Sequence, residues 1–158
     1  MTQNLRACLM ATLLLFAAVS SFAVENIFDP TRDSAKDLAA EETQAKAEHK
    51  HILLDLGGNW CSWCHLLDRT PHENTTLSAA LEKNYIVVHV NCDPDHENRA
   101  FLSHYPKTEG YPYLLVLAAD CKLLHAQPTD ALEADHHLNA GYNQSAILEF
   151  LTTWAPSK

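Results

Sequence analysis

The chain has 158 residues, with 20 acidic side chains against 11 basic ones and a formal net charge of −9. A balance so acidic argues against nucleic acid and anionic membrane surfaces as partners, since both would repel it. Beyond the leader described next, the length is that of one domain with one ordinary core.

Met1 to Ala7 is short and polar, with Arg6 as its one basic residue, and an apolar run follows from Cys8 to Val19. Ser20-Ser21-Phe22-Ala23 then sets small residues where a signal peptidase reads. Residues 1–23 are therefore expected to be a secretory signal peptide, and 24–158 a single periplasmic or secreted domain. The apolar run is shorter than the about 20 residues a membrane-spanning helix needs, which argues against an uncleaved anchor. Cys8 opens the run instead of closing it, which argues against a lipid-modified terminus.

Asp29 to Lys50 reads as a helix, with Pro30 near its start, Asp33 or Ser34 to cap it, and Ala, Glu, Gln and Lys filling it. Its apolar side (Leu38, Ala39, Ala45) is thin, so it should lie on the surface of something larger. His51 to Leu56 is a buried strand ended by Gly57-Gly58. A helix runs from Cys61 through Leu66 and Leu67 towards Arg69, where Pro71 should interrupt or kink it. A second helical piece covers Asn74 to Lys83. Tyr85 to Val90 is a strand rich in β-branched residues. Pro94 to Tyr105 is loop and helix anchored by Phe101 and Leu102. Tyr113 to Leu117 is a third strand, and a turn at Ala119-Asp120 leads into a fourth, Lys122 to Ala126. Gln127 to Gly141 has no clean period and reads as loop with at most one helical turn, its adjacent His136 and His137 solvated. Asn143 caps a last helix, Gln144 to Trp154, with Ile147, Leu148 and Leu151 on one face.

Strand–helix–strand requires a parallel pair with a crossover, and a short strand–turn–strand is an antiparallel hairpin. The fold class is therefore α/β: a sandwich with a mixed sheet of four, or at most five, strands and helices on both faces.

Four cysteines follow the leader: Cys61, Cys64, Cys92 and Cys121. Two structural disulfides are the default in an oxidising compartment. A bridge between cysteines three apart, however, closes a tiny loop and constrains the unfolded chain very little. Cys61-Ser62-Trp63-Cys64 is better suited to chemistry. Cys61, just after a buried strand and at a helix start, meets free backbone N–H groups and the positive end of the helix dipole. Both favour the thiolate, which is the attacking species in disulfide exchange. Cys61 is the expected nucleophile, and Cys64, one turn on and more shielded, the resolving thiol.

Asp55-Leu56-Gly57-Gly58-Asn59-Trp60-Cys61-Ser62-Trp63-Cys64, followed much later by Gly110-Tyr111-Pro112, resembles the thioredoxin superfamily. With a leading helix and a signal peptide, the chain is most similar to the exported, periplasmic thioredoxin-like thiol:disulfide oxidoreductases of bacteria. The resemblance runs from Asp29 to Trp154. It implies a cis bond before Pro112, facing Cys61 and Cys64 and binding extended substrate backbone. It also implies that Asp55 is the buried acid beneath the second cysteine, moving the proton during exchange. His89, where the family often carries a basic residue, becomes a proton relay. Burial of a carboxylate raises its pKa, which suits an acceptor near neutrality, with a satisfied structural carboxylate as the alternative. A satisfied core histidine is an equal alternative for His89. Trp60, Trp63 and Tyr111 join Pro112 as expected substrate contacts, with packing as the alternative for Trp63 and Tyr111.

No cofactor beyond the redox-active Cys61–Cys64 disulfide and no metal is expected. The expected partners are exported protein thiols or disulfides and a redox partner protein, with a monomer as the working form. Ser62-Trp63 lacks the Pro or His often found between such cysteines, so reductase, oxidase and isomerase all stay open.

Three rivals remain. Cys61, Cys64 and His65 form the c-type haem attachment pattern of an electron carrier. Small cytochromes are mostly helical, whereas four strand signals occur here, and Met1 and Met10, both in the leader, are the only methionines; a distal His remains available. Zinc is disfavoured because there is no second CxxC and no finger-type His spacing. A non-catalytic binding module would leave the dithiol idle. In the topology that the resemblance implies, Cys92 ends a strand on the site's side, while Cys121 lies in the hairpin turn at the opposite end. The antiparallel stretch Pro112 to Leu117, at about 3.3 Å per residue, separates them by about 17–20 Å. A disulfide needs Cα atoms within about 7 Å. Both thiols are expected to be unpaired, with Cys92 buried.

Overall fold

In the computed structural model, residues 26–95, 98–134 and 141–157 are described. The expected leader, 1–23, and the His136-His137 pair lie outside the described residues. The elements in chain order are α1 (Ser34–Glu48), β1 (His51–Gly57), α2 (Ser62–His72), α3 (Thr75–Asn84), β2 (Tyr85–Asn91) and α4 (Arg99–Leu102). They continue with β3 (Tyr113–Leu117), β4 (Leu123–Pro128), a 3₁₀ turn (Thr129–Leu132) and α5 (Gln144–Thr153). The sheet order is β2-β1-β3-β4. β1 and β2 are parallel, while β3 runs antiparallel to both β1 and β4. This is the expected mixed sheet with four strands. In place of a fifth, the described residues contain an isolated bridge between Glu133 and Tyr142.

Side-chain alternation in β1 sorts the two layers. Ile52, Leu54 and Leu56 point to one face, where they pack with Val88, Val90, Leu115 and Leu117 beneath Leu38 and Ala45 of α1. Leu53 points to the other face, where it packs with Leu67 of α2, Leu77 of α3, and Ile147, Phe150 and Leu151 of α5. Asp55 and Gly57 follow Leu53 at the same two-residue period. Asp55 therefore enters the layer beneath α2, and register places His89 of β2 beside it.

Local chemistry sets the helix bounds. The leading helix begins at Ser34, five residues later than expected, because the Asp33 side chain caps it by accepting the Ala35 and Lys36 N–H groups. Before it, the Asp29 carboxylate accepts the Thr31 N–H and hydroxyl in a tight turn. The helix stops at His49, whose φ of 55° is left-handed. The expected interruption at Pro71 does not occur, and α2 continues to His72. Proline removes one N–H donor, but here in the last turn, where the Glu73 N–H still reaches the Arg69 carbonyl at 3.1 Å. β4 begins at Leu123 and extends to Pro128, two residues beyond its expected end.

Candidate redox site

Cys61 is the N-cap of α2. Its Sγ accepts the Cys64 N–H at 3.1 Å, so one orphan donor of the helix start is directed at the sulfur. Cys61 and Cys64 form a disulfide with their Cα atoms 5.2 Å apart. Cys61 retains 6% exposure, whereas Cys64 has none. The two sulfurs thus differ in access in the sense expected from sequence.

Gly57 is the floor of this site. A Cβ there would lie 2.6 Å from Cys64 Sγ and 2.8 Å from Phe28 Cζ, so only glycine lets both pack against the strand. Phe28 is fully buried beside the two cysteines. It is pinned by Asn59, whose Oδ1 accepts the Phe28 N–H at 3.2 Å and whose Nδ2 donates to the Phe28 carbonyl at 2.7 Å. The His65 ring bonds the Asn59 carbonyl at 3.0 Å, bracing the same loop from the helix.

Asp55 is 3% exposed, and Oδ1 has no hydrogen-bond partner among the described residues. Oδ2 pairs with His89 Nδ1 at 3.2 Å. Burial holds the Asp55 pKa above the usual carboxylate range, against the opposing pull of His89. Burial also disfavours a charge on His89, but the hydrogen bond and charge of Asp55, with the charge of Asp68, outweigh it and raise its pKa. The Phe28 ring meets the His89 ring edge-on, with centroids 5.4 Å apart. Beneath α2, Asp55 opens on a largely apolar cavity of about 280 Å³ walled by residues such as Leu67, Leu114 and Phe150.

Trp60 and Tyr111 are exposed and meet edge-on, with centroids 5.8 Å apart. The bond that follows, Tyr111–Pro112, is cis. Pro112 is buried, and its carbonyl accepts the Thr129 hydroxyl at 2.7 Å. Trp63 instead turns inward and packs against Tyr142, whose hydroxyl donates to the Trp63 carbonyl at 3.4 Å. Trp60, next to Cys61 in the chain, is thus presented together with Tyr111, while Trp63 packs inward against Tyr142.

Cys92 and Cys121 are unpaired, and Cys92 is buried. The Cys92 N–H donates to the Gly57 carbonyl at 2.7 Å, and its thiol donates to the Val90 carbonyl at 3.4 Å. Burial pushes the Cys92 thiol up to about 11, which keeps it from acting as a nucleophile near neutrality. The haem pattern meets an obstacle in the geometry. Cys64 is wholly buried and His65 is turned to Asn59, so the motif has no shared open face on which a porphyrin could lie. Among the described residues, no cluster of three or more His, Cys, Asp or Glu could hold a metal, and no helix is long and apolar enough to cross a membrane.

Sequence reasoning missed Phe28, Asn59 and Asp68. Phe28 and Asn59 are 31 residues apart and carry no local pattern. Asp68 had a signal, since it lies four residues after Cys64 and therefore on the same helical face.

A family profile described as thioredoxin-like matches residues 32–119. Among solved structures, a disulphide isomerase from Xylella fastidiosa Temecula1 superposes with a TM-score of 0.68 at 23% identity, covering 83% of this chain and 98% of that one. The C-terminal domain of Neisseria meningitidis DsbD in its oxidised form superposes at 0.53 with 19% identity, covering 77% and 96%. Curated relatives include an uncharacterised Caenorhabditis elegans protein, 28% identical over 81 residues, which are 49% of this chain. Spermatogenesis-associated protein 20 of Mus musculus is 35% identical over 48 residues, 30% of this chain. The chain spans 11% and 6% of the lengths of these two relatives. With the profile matching more than half of its residues over the strands and helices that carry Asp55, Cys61 and Cys64, the chain belongs to the thioredoxin-like family.

Proposed function

We propose that this chain, a thiol–disulfide oxidoreductase by family and by its Cys61–Cys64 pair, exchanges disulfides in exported proteins through that dithiol. The carrying observation is the asymmetry of the pair: Cys61 caps α2 with a backbone N–H directed at its sulfur, while Cys64 is sealed between Gly57 and Phe28. In the reduced form, the Cys61 thiolate attacks one sulfur of a substrate disulfide. A mixed disulfide forms and one substrate thiolate leaves. Asp55 then takes the Cys64 proton, and the Cys64 sulfur attacks Cys61, expelling the second substrate thiolate. Two electrons have passed to the substrate, and the Cys61–Cys64 disulfide is restored. The reverse sequence oxidises a substrate dithiol.

Trp60 and Tyr111 supply an exposed aromatic wall beside Cys61, suited to an extended substrate segment, with Pro112 shaping its edge. His89 relays the proton from Asp55. The disulfide is the only redox group required, a second thiol protein resets it, and the working form is a monomer. The expected leader supports a periplasmic or extracellular setting for this chemistry, where disulfides persist. The test is dithiol-dependent reduction of insulin by the mature chain. Cys61→Ser should abolish turnover, and a serine variant as active as the parent overturns the reading.

A further inference from the structure

The proton that reaches Asp55 has to leave again. Asp55 is buried, and most of the cavity beside it is walled by hydrocarbon, which offers a proton no acceptor. Its hydrogen-bonded side-chain partner is His89. On the far side of that ring, His89 Nε2 lies 3.7 Å from Asp68 Oδ1, within ion-pair reach though too long for a hydrogen bond. Side-chain exposure rises from 5% at Asp55 to 28% at His89 and 21% at Asp68. His89 and Asp68 also line a surface hollow together with Asn26, Arg69 and His72.

We infer that Asp68 is a positioning residue for the redox site: its carboxylate stabilises the imidazolium that His89 becomes on taking the Asp55 proton, so that Asp55, His89 and Asp68 form a proton exit from Cys64 to solvent. This rests on the oxidoreductase reading above. The imidazole joins two carboxylates through its two nitrogens. A proton leaving the Asp55 carboxyl binds His89 Nδ1, and the proton on Nε2 departs to Asp68 or to water beside it. The net result is transfer of one proton outward, with Asp55 returned to the carboxylate that can accept from Cys64. Asp68 biases this transfer because its charge lies close to the ring and favours the imidazolium. Other charged groups face His89 as well. Arg32, Asp37 of α1 and Glu41 of α1 border it from one side, and Arg69 and His72 of α2 from the other. Arg32 is already paired with Asp37 at 2.7 Å, and Asp68 is the acidic group within 4 Å of Nε2.

The experiment pairs a titration with a rate profile in Asp68→Asn and Asp68→Glu. His89 is followed by NMR in the oxidised protein, a readout independent of turnover. Its midpoint should fall in Asp68→Asn by about 0.7 pH unit or more, the effect of one charge about 4 Å away even at the dielectric of water. Single-turnover disulfide reduction should slow several-fold near pH 6–7. The deficit should close towards about pH 9, where a thiol of ordinary pKa about 8.5 ionises unaided. Asp68→Glu should restore both. An unmoved His89 midpoint overturns the inference, and so does a rate deficit equal at every pH, which would mark Asp68 as merely structural. If Cys61→Ser stays active, the oxidoreductase reading fails instead, and the His89 titration remains a separate measurement.

Discussion

One seven-residue strand builds two unlike layers. On the α1 side, Ile52, Leu54 and Leu56 of β1 meet Val88, Val90, Leu115 and Leu117, and every contact is hydrocarbon. On the α2 side, the alternate residues are Leu53, Asp55 and Gly57, which meet a histidine, a cysteine and a cavity. The first layer carries no titratable group among these residues. The second leaves about 280 Å³ open and buries a carboxylate whose Oδ1 has no partner among the described residues. Stability and chemistry are therefore separated by the two-residue period of the strand, which predicts that substitutions on neighbouring positions act on different observables.

The largest effect expected from this division is on the apolar side. Leu54 is fully buried between Val88 and Leu115 in register. Leu54→Ala should cost about 2–5 kcal/mol, from lost transfer energy and from the cavity left behind. Turnover per folded molecule should stay near the parent's, because Leu54 packs in the apolar cluster beneath α1 and not in the one that holds Cys61, Cys64 and Phe28. Denaturant unfolding with an activity assay normalised to folded protein checks both. Activity that falls faster than the folded fraction would break the division.

Gly57 is where the second layer meets the dithiol, and the expected cost there is smaller. Gly57→Ala introduces a methyl group 2.6 Å from Cys64 Sγ and 2.8 Å from Phe28 Cζ. Forced repacking of this kind costs about 1–3 kcal/mol. Because the displaced atom is a sulfur of the redox pair, the reduction potential of the Cys61–Cys64 couple should shift along with the stability. Glutathione redox titration and thermal unfolding measure the two. A stability loss without any change of potential would show that Phe28 alone yields.

Much of this was legible from the chain. Apolar runs located all four strands, Asp33 and Asn143 marked helix starts, and the spacing of Cys61 and Cys64 pointed to a pair suited to exchange. Local signals sufficed there because each depends on residues within one turn or one strand. Pro71 misled, since the proline rule concerns a helix interior and cannot say which turn of the helix the proline occupies. The supports of the site were hidden for another reason. The Phe28–Asn59 clamp, the Trp63–Tyr142 contact and the approach of Asp68 to His89 join segments that only tertiary packing brings together. Gly57 was legible as the end of a strand; that its missing Cβ makes room for a sulfur and a phenyl ring was not.

The smallest effect expected is also the sharpest test of the second layer, because it has the opposite sign. Asp55 has its pKa raised by burial, and His89 has its own raised by Asp55 and Asp68 against the effect of burial. A folded-state pKa above the unfolded value means that the native state binds the proton more tightly. The stability that each group contributes is therefore full below its unfolded pKa, about 3.9 for Asp and about 6.5 for His, and is lost as pH rises through the folded value. Asp55→Asn removes the first loss. It also takes from His89 the partner that raised its pKa, so the variant forfeits the imidazolium's contribution at low pH. Relative to the parent, the variant should gain stability between pH 5 and pH 8.5, even as disulfide exchange near neutrality slows through loss of the acceptor proposed for the Cys64 proton. Thermal unfolding of the oxidised proteins at the two pH values measures the trend. A Tm difference that stays constant or shrinks with pH would mean that Asp55 is held comfortably as a charged structural group, and the contrast between the two layers would reduce to one of shape.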